Sequence, residues 1–172
     1  MKSQWIRHMA LIGVASFICF QASADDNASS THIVSAQASL DSADKTKQNG
    51  ASFMLENQTK PGVVTLPSGL QYKILEEGQG KKPTASDTVS VDYEGTLTNG
   101  KIFDSSYQRG QPATFPVMGV IKGWQEALQL MNTGATWMLY IPSTLAYGEK
   151  GAGSAIGPNE TLIFKVKLLA IQ

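Results

Sequence analysis

Tyr93, Phe103 and Asp104 are residues of this chain whose types and spacing could do chemistry. They belong to VSVDYEGTLTNGKIFDSS, 89–106, in which Val89, Val91 and Tyr93 alternate with Ser90, Asp92 and Glu94, the period of a strand with one buried face. The strand resumes at Thr96, Leu97 and Thr98 and meets Asn99-Gly100, which tolerates positive φ at both positions of a tight type I′ hairpin. Residues 101–104 are therefore predicted to return antiparallel beside Leu97. Phe103 and Asp104 end the return strand, and Tyr93 can point to the same side. The product is an aromatic corner with one charge at its rim, able to hold an apolar group and present a carboxylate to it. The same three residues also read as two core rings and a turn former, so the choice depends on the rest of the chain.

Composition narrows the chemistry. The chain has 172 residues, 42% hydrophobic and 16% charged, which suits one globular domain with appendages. Its 14 basic and 14 acidic residues balance, and nothing in their distribution suggests a nucleic-acid partner. Lys2 and Arg7 precede an apolar run over 9–20 and then Ala22-Ser23-Ala24, the anatomy of a cleavable export signal. The run is short for a membrane span, so a cleaved leader over 1–24 is predicted, with no stable membrane span and a periplasmic or secreted location. Lipidation at Cys19 is the alternative; Ile18 is bulky where a small residue is expected. Cleavage removes Cys19 and His8, leaving His32 as the single histidine and no cysteine. Thiolate nucleophiles, disulfides, a histidine triad and a zinc site are excluded on that reading, and no Walker or dinucleotide fingerprint occurs. No metal or cofactor is expected. Chemistry would rest on shape, apolar contact and a few hydrogen bonds.

The elements that must position the corner follow from periodicity. Residues 25–42 are rich in Ser, Ala, Asp, Asn and Thr and read as a flexible tail. Over 43–60, Ala43, Lys47, Ala51, Met54, Leu55 and Gln58 fall at helical spacing, a short linker helix weakened at Gly50 and stopped by Pro61-Gly62. The folded domain is predicted over 61–172. Leu70, Tyr72 and Ile74 mark a strand, 105–112 a polar loop, and 113–117 a short extended piece. A helix is predicted over 120–131, VIKGWQEALQLM, with Ile121, Trp124, Leu128 and Met131 on one face. Trp137, Leu139 and Ile141 alternate in a further strand, 147–159 is a long glycine-rich loop, and Leu162, Phe164, Val166 and Leu168 share a face of the last strand. Many strands and one amphipathic helix imply an α+β fold, an antiparallel sheet curled around that helix. Tyr93, Phe103, Phe115, Trp124 and Phe164 can then lie on its inner side. An apolar cluster ringed by loops is the default binding site.

These residues carry a family resemblance. VSVDYEGTLTNGKIFDSS, VIKGWQEAL, LAYGEKG and GPNETLIFKVKLL resemble, in order and spacing, the FKBP-type peptidyl-prolyl cis-trans isomerases. LPSGLQYK and PNETLIFK are similar to segments of the macrophage infectivity potentiator branch, and the likeness covers 61–172. It implies an FKBP-like fold, proline-containing polypeptide substrates and macrolide inhibitors. Carried over by position, it implies catalytic roles for Tyr93, Asp104 and Tyr147 and substrate-binding roles for Phe103, Arg109, Phe115, Val120, Ile121, Trp124, Ile156 and Phe164. Trp124 would be the floor under the proline ring, with Phe103, Phe115 and Phe164 as walls. The Ile121 N–H and the Tyr147 hydroxyl would face substrate carbonyls. Asp104 would either stabilise the twisted amide or order the pocket through Arg109 and Tyr93. Ala113 stands where many members have an aromatic, and Ala155 and Gly157 trim the flap beside Ile156, so the rim is more open. The branch normally carries a long dimerisation region, of which 25–60 resembles only the end, so a monomer is favoured. A proline-segment-binding chaperone module and a structural surface role are the readings outside enzymology.

Overall fold

The computed structural model describes residues 27–172, with side chains from Gln37 onward. The leader expected over 1–24 lies outside the described residues. No helix among them is long and apolar enough to cross a membrane.

The chain runs through α1 (Asn27–Asn57), β1 (Val63–Thr65), β2 (Gln71–Glu76), β3 (Thr88–Leu97), β4 (Ile102–Ser105), α2 (Ser106–Arg109), β5 (Ala113–Pro116), α3 (Lys122–Leu130), β6 (Thr136–Ile141) and β7 (Leu162–Ile171). All seven strands join one antiparallel sheet in the order β1-β2-β6-β7-β3, with β4 and β5 sharing the far edge of β3. The sheet does not close. Alternation sets the faces, since every second residue of β3 from Val89 to Leu97 is buried, as are Leu162, Phe164, Val166 and Leu168 on β7. Trp124, Ala127 and Leu128 of α3 and Met131 just after it enter the same core as Val91, Leu139 and Ile141. The predicted α+β sheet with one core helix is thus observed. Each fully buried aliphatic side chain there stabilises the fold by about 1.5–3 kcal/mol.

Five local expectations are revised. The stretch 27–42, read as a tail, continues into a single helix with 43–57. Its hydroxyl and amide side chains bond within the helix, as in Thr46 Oγ1 to Ser42 O at 3.0 Å and Gln37 Nε2 to Asp41 Oδ1 at 3.1 Å. Gly50, read as a weak point, is where α1 meets the domain: it is buried, and a Cβ there would lie 3.3 Å from Thr161 Cβ and closer still to its hydroxyl. The β3–β4 hairpin is not type I′. Thr98-Asn99 form the turn's centre, with Gly100 N donating to Leu97 O at 2.9 Å, and only Gly100 has positive φ, +84°. The loop thus has three residues with a left-handed glycine, and a separate irregularity at Phe103 shifts the register by one between Gly95 and Thr96. The polar loop 105–112 contains a helical turn, α2, whose N–H of Gln108 is capped by Ser105 Oγ at 3.4 Å. Finally, α3 begins at Lys122; Val117–Gly119 form a separate tight turn, leaving Val120 and Ile121 extended.

Candidate active site

The shared edge of β3 brings the site together. β4 pairs with its second half and β5 with its first, so Phe103 and Asp104 on one strand and Phe115 on the other flank Tyr93. β7, on the opposite edge, sets Phe164 against Gly95. A Cβ at Gly95 would lie 2.6 Å from Phe103 Cζ and 2.7 Å from Phe164 Cε1, so only a residue without one lets both rings close over the strand. Sequence reasoning did not single out Gly95. A glycine inside a strand pattern was the signal for a close approach.

From the other side α3 delivers Trp124, 3% exposed, at the start of the helix. Its ring meets Tyr93 at 5.3 Å, Phe115 at 6.0 Å and Phe164 at 5.2 Å, all nearly perpendicular. Edge-to-face packing of this kind suits the ring quadrupoles and holds the cluster rigid. Phe103 meets Phe164 in the same way at 5.4 Å. Trp124 Nε1 is buried without a hydrogen-bond partner, the one such side-chain atom among the described residues.

These rings bound a cavity of about 420 Å³. Tyr93, Phe103, Asp104, Phe115 and Phe164 line it from the sheet, Trp124 from α3, Val120 and Ile121 from the segment before α3, and Tyr147 from the long loop. Gly119, not anticipated, completes the lining where the tight turn passes the opening. Two expected residues stand elsewhere. Arg109 sits at the rim on α2, and Ile156 is buried in the core, its backbone pairing with Ala152 to pinch the 147–159 loop.

Polar groups collect at one side of the mouth. Asp104 accepts from the Tyr93 hydroxyl through Oδ2 and from Arg109 Nη1 through Oδ1, while Arg109 Nη2 donates to the Tyr93 oxygen at 2.9 Å. The guanidinium also lies 5.3 Å from the Tyr93 ring centroid. Burial, and then the bond to Asp104, push the Tyr93 phenol above its ordinary value. The bonds to Tyr93 and Asp104 hold the Arg109 charge more firmly still. The pair is half exposed at the rim, so its contribution is geometric more than energetic: both carboxylate oxygens are committed and the phenol is fixed. Opposite, the extended Ile121 precedes α3; its carbonyl accepts from Trp124 and Gln125, and its N–H has no partner among the described residues. That N–H is an unused donor at the cavity wall.

Residues 79–169 match the family described as FKBP-type peptidyl-prolyl cis-trans isomerase, and 20–74 match the domain amino terminal to it. The chain belongs to the FKBP-type peptidyl-prolyl cis-trans isomerase family. Within it, this FKBP-type chain is 59% identical over 125 residues to the peptidyl-prolyl cis-trans isomerase Mip of Coxiella burnetii, covering 73% of this chain and 54% of that one. The outer membrane protein MIP of Legionella longbeachae is 55% identical over 130 residues, covering 76% and 56%. The chain thus spans about half the length of the curated relatives it matches. Among solved structures, FkpA from Escherichia coli superposes with a TM-score of 0.78 at 42% identity, covering 83% of this chain and 67% of that one. A Pseudomonas syringae peptidyl-prolyl cis-trans isomerase gives 0.71 at 43%, covering 76% and 96%. The FKBP fold expected from the sequence is therefore the observed one.

Proposed function

We propose that the protein accelerates cis–trans rotation about X-Pro bonds of exported polypeptides, without covalent chemistry. The observation that carries this reading is the 420 Å³ cavity walled by aromatic rings over Trp124, with a single organised carboxylate at its mouth. An X-Pro amide rotates slowly because resonance stiffens its C–N bond, with a barrier of about 18–20 kcal/mol. Twisting removes that resonance and its charge separation. A dry aromatic slot strips water from the amide and so disfavours the planar ground state relative to the twisted one. In this reading the proline ring stacks on Trp124 between Phe103, Phe115 and Phe164. Val120 bounds the slot, and the Ile121 N–H and Tyr147 hydroxyl hold the flanking carbonyls. Asp104, held by Tyr93 and Arg109, orders the mouth and adds an electrostatic contribution to the twisted state.

Macrolides would occupy the same slot, with an opening widened by Ala113. Ile156 would act from behind, shaping the loop that carries Tyr147. An export leader over 1–24 is the companion proposal; fractionation that finds the chain in the cytosol overturns it. The test of the central reading is the cis-to-trans rate of a short X-Pro peptide, measured with the intact chain, with Asp104→Ala and with a macrolide. Acceleration that both the substitution and the macrolide reduce supports it. No acceleration by folded protein leaves the chaperone module as the better reading.

A further inference from the structure

The edge of β3 carries a gap that no strand fills. β5 pairs with residues 88–91 and β4 with residues 94–96, so 92 and 93 lie between the two. The Tyr93 N–H faces this gap and would be an orphan donor beneath the cavity. Ser106 closes it: its Oγ accepts from the Tyr93 N–H at 2.9 Å and donates to Asp92 Oδ1 at 3.0 Å. The side chain is 0% exposed. A hydroxyl has one proton, so donation to Asp92 fixes the rotor and leaves the lone pairs for the amide. The relay from amide to hydroxyl to carboxylate also polarises each bond in the favourable sense.

The location of this bridge matters. Ser106 opens α2, the turn that ends in Arg109, and stands two residues beyond Asp104. Arg109 thus depends on where α2 lies and Tyr93 on β3, while Asp104 is carried by β4, which pairs directly with β3 at Gly95. Apart from the contacts at the mouth itself, the Ser106 relay is the polar link between α2 and β3 among the described residues, and it is protected from solvent where the mouth is not.

We propose that Ser106, with Asp92 behind it, is a positioning residue for the pocket: it sets the separation of β3 from α2 and so keeps Arg109 in register with Tyr93, and with the Asp104 that β4 supplies, at the cavity mouth. What that register accomplishes rests on the isomerase reading; the geometry does not. A serine that only satisfied a buried amide would affect stability and nothing else.

The test uses the full chain, with Ser106→Ala and Asp92→Ala beside the unaltered protein. The alkaline titration of Tyr93 is followed by its ring Cζ resonance, and kcat and KM are measured on an X-Pro peptide. In Ser106→Ala the Tyr93 phenol keeps its burial and its bond to Asp104 on the paired strand but loses the Arg109 bond that favours its anion, and so titrates at still higher pH. In the same variant kcat falls about tenfold with little change in KM, as a misplaced group costs more in the transition state than in binding. Asp92→Ala, which leaves no buried void, moves both readouts the same way by less, and decides the matter if Ser106→Ala does not fold. An unchanged Tyr93 titration in the folded variants overturns the proposal, as does a shifted titration with unchanged kcat in an active enzyme. If the unaltered chain proves inactive, the isomerase reading fails while the Tyr93 titration still judges Ser106.

Discussion

Asp104 and Trp124 are adjacent in the site but differ in what they hold up. Asp104 is at the rim with its partners half in water, so its removal should cost activity more than stability. Asp104→Ala is expected to lower kcat/KM about tenfold or more, with a small change in denaturation midpoint. Trp124 is a buried hub for three other rings, and Trp124→Ala is expected to cost about 3–5 kcal/mol in chemical denaturation as well as the activity. Tyr93 adds a pH dependence. Its phenol holds its proton more tightly in the fold than in the unfolded chain. The contribution is therefore complete below the ordinary value of 10.0 and is lost as pH rises through the raised value. Tyr107 and Tyr140 are raised mainly by burial and act in the same direction. Stability should thus fall above about pH 10, and Tyr93→Phe should flatten the slope without abolishing it, as read from denaturation midpoints at stepped alkaline pH.

At the scale of elements, α1 illustrates how packing overrides propensity. Glycine in a helix ordinarily weakens it, and replacement by alanine ordinarily stabilises by up to about 1 kcal/mol. At Gly50 the sign reverses, because the new methyl would press on Thr161 just before β7. Gly50→Ala is expected to destabilise by about 1–3 kcal/mol, the range for overpacking, with the denaturation midpoint as the measure. The rest of the seam is polar as well as apolar. Gln71 Nε2 donates to Met54 O at 2.8 Å, and Asn57 Nδ2 to Gln71 Oε1 at 2.9 Å, both from buried side chains. These bonds attach the helix end to β2 at a defined height. The β3–β4 hairpin makes a related point. Asn99-Gly100 correctly marks a turn, yet the register depends on Thr98 joining the turn centre, which leaves Gly100 alone in the left-handed region.

For the molecule as a whole, the cavity sits among the core rings rather than on a separate lobe, so occupancy and folding are coupled. A ligand that fills it binds the folded chain and not the unfolded one. A macrolide at about 100 times its Kd should therefore raise unfolding stability by about 2.7 kcal/mol. The increase should vanish in Phe103→Ala, Phe103 being a cavity wall whose ring packs on Phe164. A macrolide that leaves the melting temperature unchanged at saturating concentration would exclude the cavity as its site.

Much of this protein is written locally in its sequence. The alternation of β3, β6 and β7, the apolar face of α3 and the long glycine-rich loop each arise from residues a few positions apart, where strand and helix periods operate. Periodicity also placed Tyr93, Phe103, Phe115, Trp124 and Phe164 on one inner side, while the full set of eleven site residues came from the family resemblance, and nine of those line the cavity. Tertiary structure decided what depends on distant partners. Ile156 turned into the core because its backbone pairs with Ala152. Gly95 and Gly50 were required by rings or a hydroxyl arriving from other elements, and Ser106 matters because two short strands leave an amide between them. Gly95 alone had a local signal, a glycine inside a strand pattern; the others have no local signature strong enough to predict them. Each is a fit between surfaces, and the close packing of a protein interior is what makes such fits decisive.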